Sequence, residues 1–151
     1  MLKAIKRALA AAQGETRAVP AYERRHLEVA VAVLLHEARR ADYAEHGGES
    51  SAAETALVDM FGFEPPEAAA LLTEGRAKAE QLTSLYAPLT VIKREFAMPE
   101  RIRLIEHLWR VAFIDARLDP YEDHYVRKVA HLLYVPNTDA MLARNRARGS
   151  S

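Results

Sequence analysis

Carboxylates are the residues of this chain whose spacing could do chemistry. Asp42 and Glu49 stand seven positions apart in ADYAEHGGE, and Asp115 and Glu122 stand seven apart in IDARLDPYE. A shift of 73 residues overlays the two segments; it also pairs Leu35 with Leu108, Ala41 with Ile114, Ala56 with Val129, Met60 with Leu133 and Phe61 with Tyr134. Further acids lie in the same turns, Glu45 in the first and Asp119 in the second. Carboxylates aimed together at a core need compensation, because an unpaired buried charge is costly. They can accept hydrogen bonds from the first amides of the following helix, or pair with Arg39, Arg40 or Arg117. A hard cation, Ca²⁺ or Mg²⁺, could also be held by both carboxylates and the turn carbonyls. On that last reading the ligands are Asp42, Glu49, Asp115, Asp119 and Glu122. Neither turn is an EF-hand, whose loop is longer and carries ligands at alternating positions around a central Gly.

The elements that must position these acids are helices. Leu27, Val31, Leu34 and Ala38 recur at helical spacing, predicting a helix over about 21–41 whose stripe runs on to Asp42. Leu104, Leu108 and Val111 make the corresponding stripe of a helix opened by Pro99, and it runs on to Asp115. Both aspartates therefore sit on an inward face near a helix C-terminus, where the macrodipole disfavours negative charge by roughly 0.3–1 kcal/mol. The glutamates approach from the other side. Glu49 precedes Ala53, Ala56 and Met60, and Glu122 precedes Val126, Val129 and Leu133, each at the spacing of one face.

The rest of the chain reads as helix too. Ser51 and Glu54 have capping-box spacing for a helix that stops at Gly62. Pro65-Pro66 opens another, with Ala68, Leu71, Leu72, Ala79 and Leu82 on its buried side. A break over 83–88 precedes a short helix from Pro88 carrying Leu89, Ile92 and Phe96. Asp119-Pro120-Tyr121-Glu122 has the chemistry of a helix start, and that helix is expected to reach Tyr134. Pro136-Asn137-Thr138 then opens a last helix holding Met141 and Leu142, before a tail, RNRARGSS, expected to fray. The start, with Leu2, Ile5 and Leu9 on one side, reads as an amphipathic helix. Its apolar run is broken by Lys3, Lys6 and Arg7 and is too short for a signal peptide.

Composition narrows the function classes. Lys plus Arg and Asp plus Glu both total 21, so no net field favours a polyanion and nucleic acid is not an expected partner. With no cysteine there is no disulfide, thiolate metal site or Cys nucleophile. No apolar run approaches the ~18 residues that span a bilayer. Glu23 and His26 form a lone E-x-x-H, whereas a di-iron bundle needs two such pairs. His36-Glu37 lacks the second histidine of a zincin helix. His107, His124 and His131 fall on polar or boundary positions, and Trp109 and Tyr134 read as core or boundary aromatics. There is no Gly-rich phosphate loop, and Ser50, Ser51 and Ser84 suit caps and turns. The basic clusters at 24–25, 39–40 and Arg144, Arg146 and Arg148 read as solvated faces or ion-pair partners.

The stretch LIEHLWRVAFIDARLDPYEDHYVRKVAHLLYVP, residues 104–136, resembles the TerB-like family, tellurite resistance protein B and its relatives. The family pattern is a helix ending in Ala-Asp, a short turn, then a Glu opening the next helix, followed by a hydrophobic pair. Residues 32–63, AVLLHEARRAD through LVDMFGF, resemble a looser first copy, and APLTVIKREF fits the small stand-alone members. Tyr43 and Ala116 stand where the family often has Gly. The resemblance covers about 25–145 and implies an all-helical bundle with internal pseudo-symmetry. It implies a link to tellurite and other stress resistance; some relatives are N-terminal regions of DjlA-type membrane-anchored co-chaperones. It also marks Asp42, Glu49, Asp115 and Glu122 as proposed cation-sensing positions.

The expectation is thus an all-α compact bundle of seven to eight helices with an internal pseudo-twofold repeat. Residues 1–20 form an N-terminal amphipathic segment. Residues 21–148 form one domain with repeats at about 27–63 and 100–136. The expected function is a cytoplasmic, non-enzymatic interaction or sensor module with protein partners, some membrane-associated, and no small-molecule substrate. The alternatives are a structural scaffold whose acids only cap and pair, and a metal-dependent enzyme.

Overall fold

The computed structural model describes residues 21–40, 47–113 and 120–149, and the side chains of 21–38, 52–113 and 120–149 among them. The expected N-terminal helix and the two acidic turns lie outside the described residues. Seven helices and no strand occur among the described residues: α1 (Ala21–Arg40), α2 (Gly47–Phe61), α3 (Pro65–Gln81), α4 (Tyr86–Glu95), α5 (Met98–Ala112), α6 (Pro120–Leu132) and α7 (Asn137–Gly149).

The helix starts follow from local chemistry. Pro65, Pro99 and Pro120 fall at first-turn positions, where the missing N–H has no intrahelical partner to lose. Glu67 reaches back to the Glu64 amide at 3.3 Å, and Glu100 to the Ala97 amide at 2.9 Å, each satisfying one orphan donor. α2 begins at Gly47, upstream of the expected Ser51 region, and α4 at Tyr86, two residues before Pro88. The Ser84 hydroxyl accepts from the Tyr86 amide at 3.3 Å, which places the helix start ahead of the proline.

Two helices organise the core. α1 packs most heavily on α3 and α4, while α5 packs on α7, α6, α2 and α1. Their side chains Val31, Leu34, Leu35, Leu104, Ile105, Leu108 and Trp109 are fully buried. α1 and α3 approach so closely that a methyl group added at Gly75 would lie 2.6 Å from the Ala32 Cβ and 2.9 Å from its carbonyl carbon. Arg101 ties two helix ends together. Its guanidinium donates to the Lys93, Phe96 and Leu133 carbonyls at 2.7, 3.0 and 2.9 Å, meeting orphan acceptors where the macrodipoles favour a cation.

The C-terminal segment differs from expectation. α7 runs to Gly149 and does not fray within the RNRARG stretch. Its inward face is Ala140, Ala143 and Ala147, while Leu142 is half exposed. The arginines hold it down: Arg144 lies over the Trp109 ring and Arg148 over Phe113, with guanidinium carbons 5.9 and 5.4 Å from the ring centres. Arg146 bonds Glu106 at 2.5 Å, as does Arg110. These arginines are ion-pair partners and lids over aromatics.

Candidate functional site: an acidic corner and a histidine joint

Glu122 is the one expected ligand whose side chain the structure describes. It stands in the first turn of α6 and is 6% exposed, on the same inward face as Val126, Val129 and Leu133. Carboxylates are favoured at this end of a helix, where N–H groups point outward and the dipole is positive. Asp42, Asp115 and Asp119 lie outside the described residues. Glu49 lies in the first turn of α2, its side chain outside them. Among the described residues, no group of three or more Asp, Glu or His could hold a metal ion.

One turn beyond Glu122, the Tyr125 hydroxyl donates to the Leu34 carbonyl of α1 at 2.9 Å. Burial pushes this phenol well above the ordinary tyrosine range, and the charges of Glu37 and Tyr121 add to it. So the start of α6 faces the last turns of α1, and Glu37 belongs to its electrostatic surroundings. In the sequence Glu37 stands out only beside His36 and next to the Leu34–Ala38 stripe, and neither pattern points to α6.

A second constellation links α2 to α5. His107 is 4% exposed, not at a polar boundary as expected, and its Nε2 lies 2.7 Å from Asp59 Oδ2. Arg103 donates to the same oxygen at 2.7 Å and to the Asp59 carbonyl at 3.3 Å. An ionised Asp59 can only accept, so Nε2 carries a proton. Burial holds the His107 imidazole below its ordinary range, with Arg110 acting the same way and the Asp59 and Glu106 carboxylates opposing. Partial burial pushes Asp59 upward, but hydrogen bonds from His107 and Arg103, and their charges, hold it below the usual carboxylate range. The pair lies 48 positions apart in sequence, which is why spacing rules did not find it.

The other sequence candidates settle into structural roles. His26 packs on Tyr22 with ring centres 4.3 Å apart. Glu28, next to His26, is buried and pairs with Arg24 and Arg25 at 3.5 and 3.6 Å, while Arg25 also bonds Glu74 across to α3. No described helix is long and apolar enough to cross a membrane.

The family model described as tellurite resistance protein TerB matches residues 28–145, most of the chain. Neither curated proteins nor solved structures give a match to the chain.

Proposed function

Since the chain belongs to the tellurite resistance protein TerB family, we propose that it is a non-catalytic interaction or sensor module. It serves tellurite or general stress resistance in the cytoplasm, and its partners are proteins, some membrane-associated. Its working parts are two helix–acidic turn–helix units, one built on α1 and α2 and the other on α5 and α6. In support of two related units, α2 and α6 open at Gly47 and Pro120, 73 positions apart. Leu35 and Leu108 are buried alike, as are Ala56 and Val129.

The observation that carries the reading is the buried Glu122 carboxylate at the head of α6, three positions after Asp119 and seven after Asp115 in the sequence. A donor set of carboxylates and turn carbonyls suits a hard, oxygen-seeking cation such as Ca²⁺ or Mg²⁺. Asp115, Asp119 and Glu122 would hold it in the second unit, and Asp42 and Glu49 in the first. A bound cation would neutralise mutually repelling carboxylates. The chain's own helices convert that into a set angle between α5 and α6, and so into the shape of the surface a partner meets.

The test is thermal or chemical unfolding of the purified protein with Ca²⁺ and Mg²⁺. At about 100 times its Kd, a cation that binds only the folded state stabilises it by about 2.7 kcal/mol. Asp115→Asn keeps shape, removes charge and should abolish most of that gain. Asp42→Asn should do so more weakly, because its turn is followed by Gly47-Gly48. No cation-dependent shift at millimolar concentrations sinks the cation reading and leaves capping and ion pairing as the role of the acids.

A further inference from the structure

α2 is held less heavily than α5. Its described buried side chains are Ala53, Ala56, Leu57 and Phe61, whereas α5 buries Leu104, Ile105, His107, Leu108, Trp109, Val111 and Ala112. Two alanines remove little apolar surface from water compared with that set. α2 rests on α3, α5 and α1, and its polar tie to α5 is the Asp59 carboxylate. One oxygen of that carboxylate serves both Arg103 and His107, each at 2.7 Å.

The charges around this joint leave no room for another cation. On α2 the group facing His107 is Asp59, already matched by the Arg103 guanidinium. On α5 itself the flanking groups are Glu106 and Arg110. Glu106 is held at 2.5 Å by Arg110 and at 2.5 Å by Arg146 from α7, so its charge is already opposed twice. A second proton would add positive charge to an imidazole only 4% exposed, where a charge is costly to bury.

We propose that the Asp59–His107 bond is a proton-operated latch, holding α2 against α5 at neutral pH and letting α2 go on acidification. The neutral imidazole donates Nε2–H to Asp59 and asks for no counter-charge. The imidazolium is better accommodated with α2 moved away and the ring in water. In line with this, the folded imidazole is held below its ordinary 6.5, burial being the largest cause. The sign follows by linkage. Between the depressed folded pKa and 6.5 the opened state binds more protons, so closure is stabilised above 6.5 and weakens as pH falls below it. α2 also follows Asp42 in the sequence, and its release would uncover the apolar side of the helix. The latch stands on the α2–α5 geometry and does not depend on cation binding.

The test is amide hydrogen exchange, corrected for intrinsic pH dependence, comparing residues 52–61 of α2 with 102–112 of α5. Going from about pH 7.5 to about pH 5.5, α2 should open more often, by up to about tenfold, while α5 changes little. His107→Gln keeps a neutral N–H donor but cannot titrate, and should make α2 insensitive to pH over this range. An unchanged α2 in the unmodified protein overturns the latch, as does a pH response that persists in His107→Gln. Should the variant fail to fold, NMR titration of the His107 ring in the unmodified chain decides. A midpoint below 6.5 with α2 shifts following it supports the latch, and a midpoint at or above 6.5 overturns it.

Discussion

Leu35 in α1 and Leu108 in α5 are both fully buried, and so are Ala56 in α2 and Val129 in α6. Phe61 at the end of α2 is buried too, but Tyr134, 73 positions on, is 69% exposed. The reason lies in the backbone. Chain reversal after α2 uses Gly62 at φ 73°, and reversal after α6 uses Tyr134 at φ 61°. These two residues play the same part but are 72 apart, so the left-handed turn after α6 comes one position early. In that register Leu133 answers Phe61 and Val135 answers Phe63, and all four are buried. A side chain's place after a helix is set by where the backbone turns left-handed, and a uniform sequence shift does not track it.

The two first helices of the pairs are also anchored differently. α5 is anchored by α7 through Trp109, which is fully buried and donates its indole N–H to the Ala140 carbonyl at 3.1 Å. The largest expected effect therefore comes from Trp109→Ala, about 3–5 kcal/mol. It removes the aromatic core, the bond to α7 and the ring under Arg144. Urea unfolding measures the loss, and amide exchange in α7 should rise more than in α3. A loss under about 1 kcal/mol would mean that α7 is not an anchor.

α1 is anchored by α3 through the close approach at Gly75. Helix propensity alone would make Gly75→Ala stabilising by about 1 kcal/mol. The new methyl would meet Ala32 at 2.6 Å and backbone at 2.9 Å, and neither is the end of a flexible side chain. Overpacking of this kind costs about 1–3 kcal/mol, so the net expectation is destabilisation by up to about 2 kcal/mol. An increase in melting temperature would show that α1 and α3 can slide apart cheaply.

The helices were legible where apolar stripes and helix-start chemistry agreed. Leu27 to Ala38 and Leu104 to Val111 gave the faces that the structure buries, and Pro65, Pro99 and Pro120 gave the starts. α7 was misread because its inward face is alanine, too weakly apolar to stand out, while Leu142 drew attention and faces solvent. Its persistence to Gly149 depends on Arg144 and Arg148 meeting Trp109 and Phe113, contacts far apart in sequence. Glu106 is gripped by Arg110 and Arg146. At the acidic corner, helical spacing correctly put Glu122 on an inward face. The Asp59–His107 joint and the nearness of Glu37 to Tyr125 arise only from how helices pack, so no local pattern announces them.

The smallest effect sharpens the comparison of the two helix ends. A left-handed residue with a Cβ costs roughly 1–2 kcal/mol, so Gly62→Ala should destabilise by about that much. Nothing lies within 4 Å of the added methyl, which leaves backbone strain as the whole cause. Tyr134 already bears this strain, and its surroundings offset it. Val135 N–H bonds the Ala130 carbonyl at 2.9 Å, Arg101 bonds the Leu133 carbonyl, and the Lys93 ammonium lies 5.0 Å from the centre of the tyrosine ring. Tyr134→Gly relieves the strain but gives up the cation–π contact, about 0.5–1 kcal/mol at an exposed site, and loosens the unfolded chain. These terms nearly cancel, and the expected change is within about 0.5 kcal/mol of zero. Chemical denaturation of the two variants side by side reads the difference. If Tyr134→Gly costs as much as Gly62→Ala, the tyrosine ring holds its corner, and the two ends share a backbone turn without sharing what stabilises it.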